Sequence, residues 1–358
     1  MLMNIALFFG GLALLILGAE WLVKGASKLA FRVGISPLVV GLTVVAFGTS
    51  APELAINIQS ALNNQADIAL GNVVGSNIFN TLFILGLSAL IIPLRVDRQL
   101  IRLDVPIMIG AGILLYLLAL DGALGRIEGA ILFALMIAYT IFIIYQSRKE
   151  QGEQADDSTH LVESRLISDH VLFQILLIIA GLVLLVFGAR WLVDGAVAFA
   201  RYFGVSELVI ALTIIAAGTS MPEVATSIVA ALRGERDIAV GNVVGSNIFN
   251  ILSVLGITSI LTPNALPISS AVLGFDLPIM LLITLLCFPI FFSGYEISRG
   301  EGGIFLLGYI AYSLYLILEA TSSALLPHYT ALMLYVALPI TLLALAGIFF
   351  QMRKRRAG

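Results

Sequence analysis

The chain has 358 residues, of which 60% are hydrophobic and 11% charged, against about 25% charged in soluble domains. A mean hydropathy of +1.06 excludes a water-soluble packing, so the solvent must be lipid. The single cysteine, Cys287, excludes an intrachain disulfide; the net charge of −3 says little beside where the charges fall, and no nucleic-acid partner is expected.

Taken from the N-terminus, MLMNIALFFGG has neither a positive leader region nor a small-residue cleavage site, and reads as a retained first span. A bilayer-crossing helix needs about 20 mostly apolar residues. Charges and Pro/Gly turns then divide the chain into eleven spans. They fall near 3–23, 36–62, 68–92, 104–120, 127–146, 170–189, 206–232, 238–262, 272–293, 303–319 and 329–350. The polar stretch 147–169 lacks apolar periodicity and reads as the one linker. The expected organisation is 1–146, linker 147–169, 170–320, and an extra span with a basic tail over 321–358.

If the first span ends on the cytoplasmic side, sixteen of the 19 Lys and Arg fall on that side, from Lys24 to the tail Arg353-Lys354-Arg355-Arg356. Only Arg126, Arg190 and Arg201 fall on the other. The positive-inside rule therefore places the N-terminus outside and the C-terminus in the cytoplasm.

Residues 41–80 recur as 211–250 without a gap, identical at 25 of 40 positions. Trp21-Leu22-Val23 recurs as Trp191-Leu192-Val193, both read as interfacial anchors, and Asp104-Val-Pro-Ile-Met recurs as Asp276-Leu-Pro-Ile-Met. Because five spans separate the copies, they enter the membrane from opposite sides. The expected fold is an all-α polytopic membrane protein of two inverted five-helix repeats plus one extra C-terminal transmembrane helix.

Each copy carries one acid in an apolar stretch, Glu53 in GTSAPE and Glu223 in GTSMPE. Pro52 lacks an N–H and its ring opposes the Gly48 carbonyl, so the helix should kink or unwind there; Pro222 does the same in the second copy. Irregular backbone survives in lipid only where it lines a cavity or is buried in protein. Thr49, Ser50 and Glu53 share a helical face by their spacings of three and four, as do Thr219, Ser220 and Glu223. The next spans add Ser76, Asn77 and Asn80, and Ser246, Asn247 and Asn250. With the carbonyls near Ala46 this donor set is all oxygen, which suits hard cations such as Ca²⁺, Na⁺ or Mg²⁺ and argues against zinc or copper.

Plainer readings stand beside these. The GxxxG pairs Gly71/Gly75 and Gly241/Gly245 read as close helix-packing sites. Asn72, Asn242, Asn77 and Asn247 serve as packing hydrogen bonders or as ligands. Asp104 and Asp276 read as interfacial or helix-terminal residues. Glu53 and Glu223 could be protonated, but charge at the membrane centre costs about 2.5–3.5 kcal/mol, and a duplicated cost argues for function.

On GTSAPE…GNVVGSNIFN and GTSMPE…GNVVGSNIFN the chain resembles the cation/calcium exchanger superfamily, in its prokaryotic sodium/calcium exchanger-like branch, over roughly 1–320. The resemblance implies a ten-helix exchanger core with ion sites at the repeat interface and transported Ca²⁺ and Na⁺ as the ligands. Glu53 and Glu223 would be central Ca²⁺ ligands shared with Na⁺, and Thr49 and Thr219 would add oxygens. Ser50, Ser76, Ser220 and Ser246 would serve Na⁺ with the carbonyls of Ala46 and Ala216, while Asn80 and Asn250 flank the centre. Some members of the superfamily carry Asp at the last position; Asn at both lowers the charge and weakens the case for K⁺. The expected activity is Na⁺/Ca²⁺ antiport at a family ratio of three to one, hence electrogenic, in a prokaryotic plasma membrane. Ca²⁺/H⁺ exchange on the same scaffold and a passive cation channel are the rivals. No nucleophile–base pair, cofactor motif or protein-partner signature points to an enzyme or a scaffold.

Overall fold

The computed structural model describes residues 2–63, 66–157, 171–292, 294–337, 339–340 and 343. The chain opens with α1 (Leu2–Val33), one 32-residue helix, longer than a bilayer requires. A bent segment follows: α2 (Pro37–Val40), a π turn, α3 (Ala46–Thr49) and α4 (Ala51–Leu62). The Ser36 side chain accepts from the Val39 N–H, and Pro37 takes a position where its missing N–H costs nothing. Next come α5 (Ala66–Phe79) with its continuation α6 (Leu85–Ile91), α7 (Val105–Leu118) and α8 (Arg126–Asp157).

The order then repeats. α9 (Val171–Tyr202) leads to a second bent segment of α10 (Glu207–Ile210), a π turn, α11 (Ala216–Gly218) and α12 (Met221–Leu232). α13 (Arg236–Phe249) continues into α14 (Gly256–Leu261), followed by α15 (Leu277–Phe292), α16 (Arg299–Ala320) and the short α17 (Leu326–Leu332). The π turns fall in matched places, Gly41–Val45 with Ala211–Ile215, Asn80–Ile84 with Asn250–Leu255, and Leu100–Asp104 with Val272–Asp276.

Among the described residues, 8 helices are long and apolar enough to cross a membrane, and up to 10 spans result if each bent pair is one. The molecule is a mostly helical, multi-pass membrane protein. Of the expected eleventh span the structure describes its beginning, through the π turn Met333–Ala337; most of the rest and the tail lie outside the described residues. α8 continues to Asp157, into the stretch expected to be a linker from 147, and 158–170 lie outside the described residues.

α1 and α9 pack antiparallel on glycines seven residues apart. A Cβ on Gly18 would lie 2.7 Å from the Gly181 carbonyl oxygen, and one on Gly188 would lie 2.7 Å from the Leu15 nitrogen, so backbone meets backbone. The centre belongs to α13–α14, with 89% of its most apolar stretch buried, while α16 at the periphery has 6%. Short antiparallel strand pairs tie the turns together: β1 (Leu94–Arg95) and β2 (Ala123–Leu124) meet β4 (Glu296–Ile297) and β3 (Leu266–Pro267), respectively.

The two GxxxG pairs, expected to be alike, are not. A Cβ on Gly245 would lie 2.7 Å from Leu42 Cα and one on Gly241 3.0 Å from the Leu38 carbonyl oxygen, whereas Gly71 and Gly75 have nothing within 4 Å. The first bent segment lies against α13, while the outer part of the second stands clear of α5. Leu38 is 3% exposed and its copy Leu208 43%.

Candidate cation-binding site

The site forms where the two bent segments meet α5 and α13. Each proline sits in the first turn of a new helix, and the chain bends by 43° at the first break and 51° at the second. The residues at the breaks, Ser50 (φ −87, ψ 7) and Ser220 (φ −89, ψ 9), occupy the sparsely allowed bridge region. Glu53 and Glu223 thereby enter the first turns of α4 and α12, where unpaired N–H groups favour negative charge.

Both carboxylates are 0% exposed. Their donors are exchanged between the halves: the Ser50 hydroxyl donates to Glu223 Oε1 at 2.9 Å, and the Ser220 hydroxyl donates to Glu53 Oε1 at 3.1 Å. Ser220 also lies 3.4 Å from the Ser76 hydroxyl, bringing α5 into the cluster. The Asn57 amide donates to the Glu53 carbonyl at 2.7 Å. The Thr49 hydroxyl reaches Asn242 Oδ1 at 3.1 Å and the Ala46 carbonyl at 3.4 Å. That carbonyl also accepts the Ser50 N–H at 3.0 Å.

Asn80 and Asn250 are likewise 0% exposed. Asn80 Nδ2 donates to Asn247 Oδ1, and Asn250 Nδ2 to Asn77 Oδ1, both at 3.1 Å. Five buried acceptor atoms here are left without a donor: Glu53 Oε2, Glu223 Oε2, Asn57 Oδ1, Asn80 Oδ1 and Asn250 Oδ1. The buried hydroxyls of Thr219 and Ser246 are also unpartnered. Buried acceptors without donors cost about 1–3 kcal/mol each, more when charged, and a cation relieves that cost. Neither described ion pair, Arg201–Glu207 or Arg233–Glu20, supplies one here. No group of three or more His, Cys, Asp or Glu able to hold a metal occurs among the described residues, so the two carboxylates are joined by neutral oxygens only.

The copies are unequally covered. Ala46 is buried and Ala216 exposed; Thr49 is buried and Thr219 half-buried. Asn77, Asn242 and Asn247, open in the sequence between packing and ligation, are all within the buried cluster. Met108 and Met280, which end the repeated Asp-x-Pro-Ile-Met stretch, place their sulfurs 3.6 and 3.7 Å from Asn247 Nδ2 and Asn77 Nδ2. Asn242 is a packing hydrogen bonder, donating to the Ser227 hydroxyl at 3.0 Å. Asp104 needs correction. It is 0% exposed, caps no backbone through its side chain, and accepts from the Tyr139 hydroxyl at 2.9 Å. Tyr312 makes the matching bond to Asp276 at 2.8 Å. The repeated Ile137-Ala-Tyr-Thr and Ile310-Ala-Tyr-Ser carried that signal.

A helical membrane protein with a buried, oxygen-only acid pair between two like segments is an ion-exchanger architecture, and comparison with known proteins agrees. The chain belongs to the sodium/calcium exchanger protein family, whose pattern it matches over residues 3–145 and 173–318. It is 38% identical over 317 residues to the inner membrane protein YrbG of Escherichia coli, covering 87% of this chain and 96% of that one. It is 31% identical over 346 residues to the sodium/calcium exchanger MaX1 of Methanosarcina acetivorans, covering 86% and 97%. Among solved structures it resembles the sodium-calcium exchanger NCX_Mj soaked with zero Na⁺ and Ca²⁺, at a TM-score of 0.73 and 31% identity over 86% of this chain and 97% of that one.

Proposed function

We propose that the chain is a secondary antiporter in which Na⁺ entering a prokaryotic cell drives Ca²⁺ out by alternating access. Glu53 and Glu223 are the shared central ligands, completed by Thr49, Thr219, Ser50, Ser220, Ser76, Ser246, Asn80 and Asn250 and the carbonyls of Ala46 and Ala216. The observation that carries this reading is the cluster of unpartnered acceptor oxygens, two of them carboxylate, drawn from both halves. One Ca²⁺ neutralises the two carboxylates; three Na⁺ leave one positive charge in excess, so exchange at three to one is electrogenic. Asn at both 80 and 250 lowers the negative charge of the site and weakens the case for K⁺.

The halves are inverted repeats, 1–146 and 170–320, with a further span beyond. In support, the family match divides into two segments and the π turns recur in matched places. The strand pairs support the span parity: β1 and β4 both lie in turns assigned to the Lys/Arg-rich side, β2 and β3 in turns assigned to the opposite side. The N-terminus is outside and the C-terminus cytoplasmic.

Sealed vesicles containing the purified protein test the reading. Ca²⁺ uptake should be fast under an outward Na⁺ gradient and slow without one; an H⁺ gradient in its place separates Ca²⁺/H⁺ exchange. Equal uptake in all three conditions would sink antiport. Glu53→Gln and Glu223→Gln should each abolish uptake while leaving membrane insertion intact.

A further inference from the structure

The acceptor cluster depends on which way two amides point. An asparagine side chain flipped about its last bond exchanges a carbonyl oxygen for an NH₂ group. If Asn80 or Asn250 flipped, the cluster would present a donor where it now presents an acceptor, and attraction for a cation would become repulsion. Something must fix these amides, and the surrounding bonds show what does.

Asn77 and Asn247 are 2% and 1% exposed. Asn77 Nδ2 faces the backbone carbonyl oxygen of Asn247 at 3.2 Å and the Met280 sulfur at 3.7 Å. Both are acceptors and neither has a proton to give, so the Asn77 NH₂ is held there and its oxygen is turned the other way. That oxygen accepts from Asn250 Nδ2 at 3.1 Å. The Asn250 NH₂ is thereby consumed, and its own Oδ1 is left facing away without a partner. The second set runs parallel, except that one of its two partners is a hydroxyl, so the Met108 sulfur alone is an obligate acceptor there. Asn247 Nδ2 faces the Thr81 hydroxyl at 2.8 Å and the Met108 sulfur at 3.6 Å. Asn247 Oδ1 accepts from Asn80 Nδ2 at 3.1 Å, leaving Asn80 Oδ1 unpartnered.

We propose that Asn77 and Asn247 are positioning residues that lock the amides of Asn250 and Asn80 with their oxygens toward the cation. Each acts on the ligand of the other half. The inference rests on the cation-exchange reading and adds what that reading lacks, the reason why neutral amides serve reliably as ligands. It also distinguishes the two positions. Asn77 faces a backbone carbonyl, so an acid there sets oxygen against oxygen. Asn247 faces a hydroxyl, which can turn to donate, so an acid there keeps its acceptor for Asn80.

A double-mutant cycle on the full chain tests the lock, read as the apparent Ca²⁺ affinity of Na⁺-driven uptake, with melting temperature measured alongside. Asn247→Ala frees the Asn80 amide and should weaken Ca²⁺ affinity roughly tenfold or more. In an Asn80→Asp background both oxygens are acceptors, one of them set against Asn247 Oδ1, so the same Asn247→Ala should then cost no affinity. Asn77→Ala with Asn250→Asp should repeat the pattern. Equal losses in both backgrounds would overturn the lock and leave Asn247 a packing residue. Should Asn247→Ala not fold, the acids decide: Asn247→Asp should keep Ca²⁺ affinity and Asn77→Asp should lose it, and matched behaviour of the two overturns the proposal. If the wild-type protein takes up no Ca²⁺ in a Na⁺-dependent manner, the exchange reading falls and the lock falls with it; normal wild-type uptake with additive variants removes the lock alone.

Discussion

Single side chains differ in how much the fold depends on them, and burial decides it. Asp104 is fully buried and held by the Tyr139 hydroxyl at 2.9 Å and the Gln99 amide at 3.3 Å. Asp276 has the matching bond from Tyr312 but is half-buried, so water can replace a lost donor. Tyr139→Phe should therefore lower stability by about 1–3 kcal/mol, while Tyr312→Phe should cost less than about 1 kcal/mol. Thermal melting of the detergent-solubilised variants checks this; equal losses would show that the buried pair is no more demanding than its copy. The two glutamates were legible because an acid beside proline in an apolar stretch has no structural excuse. Asp104 was not, because distance along the chain to a predicted span end says nothing about which neighbour covers it.

At the scale of elements, helix breaks and helix pairs were legible to different degrees. Pro52 and Pro222 announce the bends through their missing N–H groups. The matched π turns have no such marker; no residue type requires them. The glycines Gly11, Gly18 and Gly25, and Gly181, Gly188 and Gly195, stand seven apart in the sequence, but their partners appear only in the fold. A Cβ at Gly181 would lie 2.7 Å from the Gly18 carbonyl oxygen and 2.7 Å from the Leu22 nitrogen, where no rotamer change gives relief. Gly181→Ala should force α1 and α9 apart and destabilise the protein by about 1–3 kcal/mol. At Gly10 the same atom would rest 3.6 Å from the Trp191 ring, an ordinary contact, so Gly10→Ala should stay within about 0.5 kcal/mol. Similar melting curves for both variants would contradict the backbone contact.

The whole molecule carries information that no residue of the repeat holds. GNVVGSNIFN is written identically at 71–80 and 241–250. Yet a Cβ at Gly245 would lie 2.7 Å from both Leu42 Cα and the Leu42 carbonyl oxygen, while Gly75 has nothing within 4 Å. Identical sequences in unlike surroundings mean that the ten residues themselves do not set their packing. If transport exchanges the shapes of two inverted halves, Gly75 must enter the tight surroundings that Gly245 now has. Gly75→Ala should then leave melting temperature and Ca²⁺ binding near wild type in the observed state. It should penalise the exchanged state by about 1–3 kcal/mol, lowering its population roughly tenfold or more and slowing Na⁺-driven Ca²⁺ uptake accordingly. Gly245→Ala should do the opposite, destabilising the observed state and favouring the exchanged one. Vesicle uptake measured beside equilibrium Ca²⁺ binding separates these effects. Full turnover of Gly75→Ala would show that the α5 face never closes as the α13 face does, and that the two halves do not trade places.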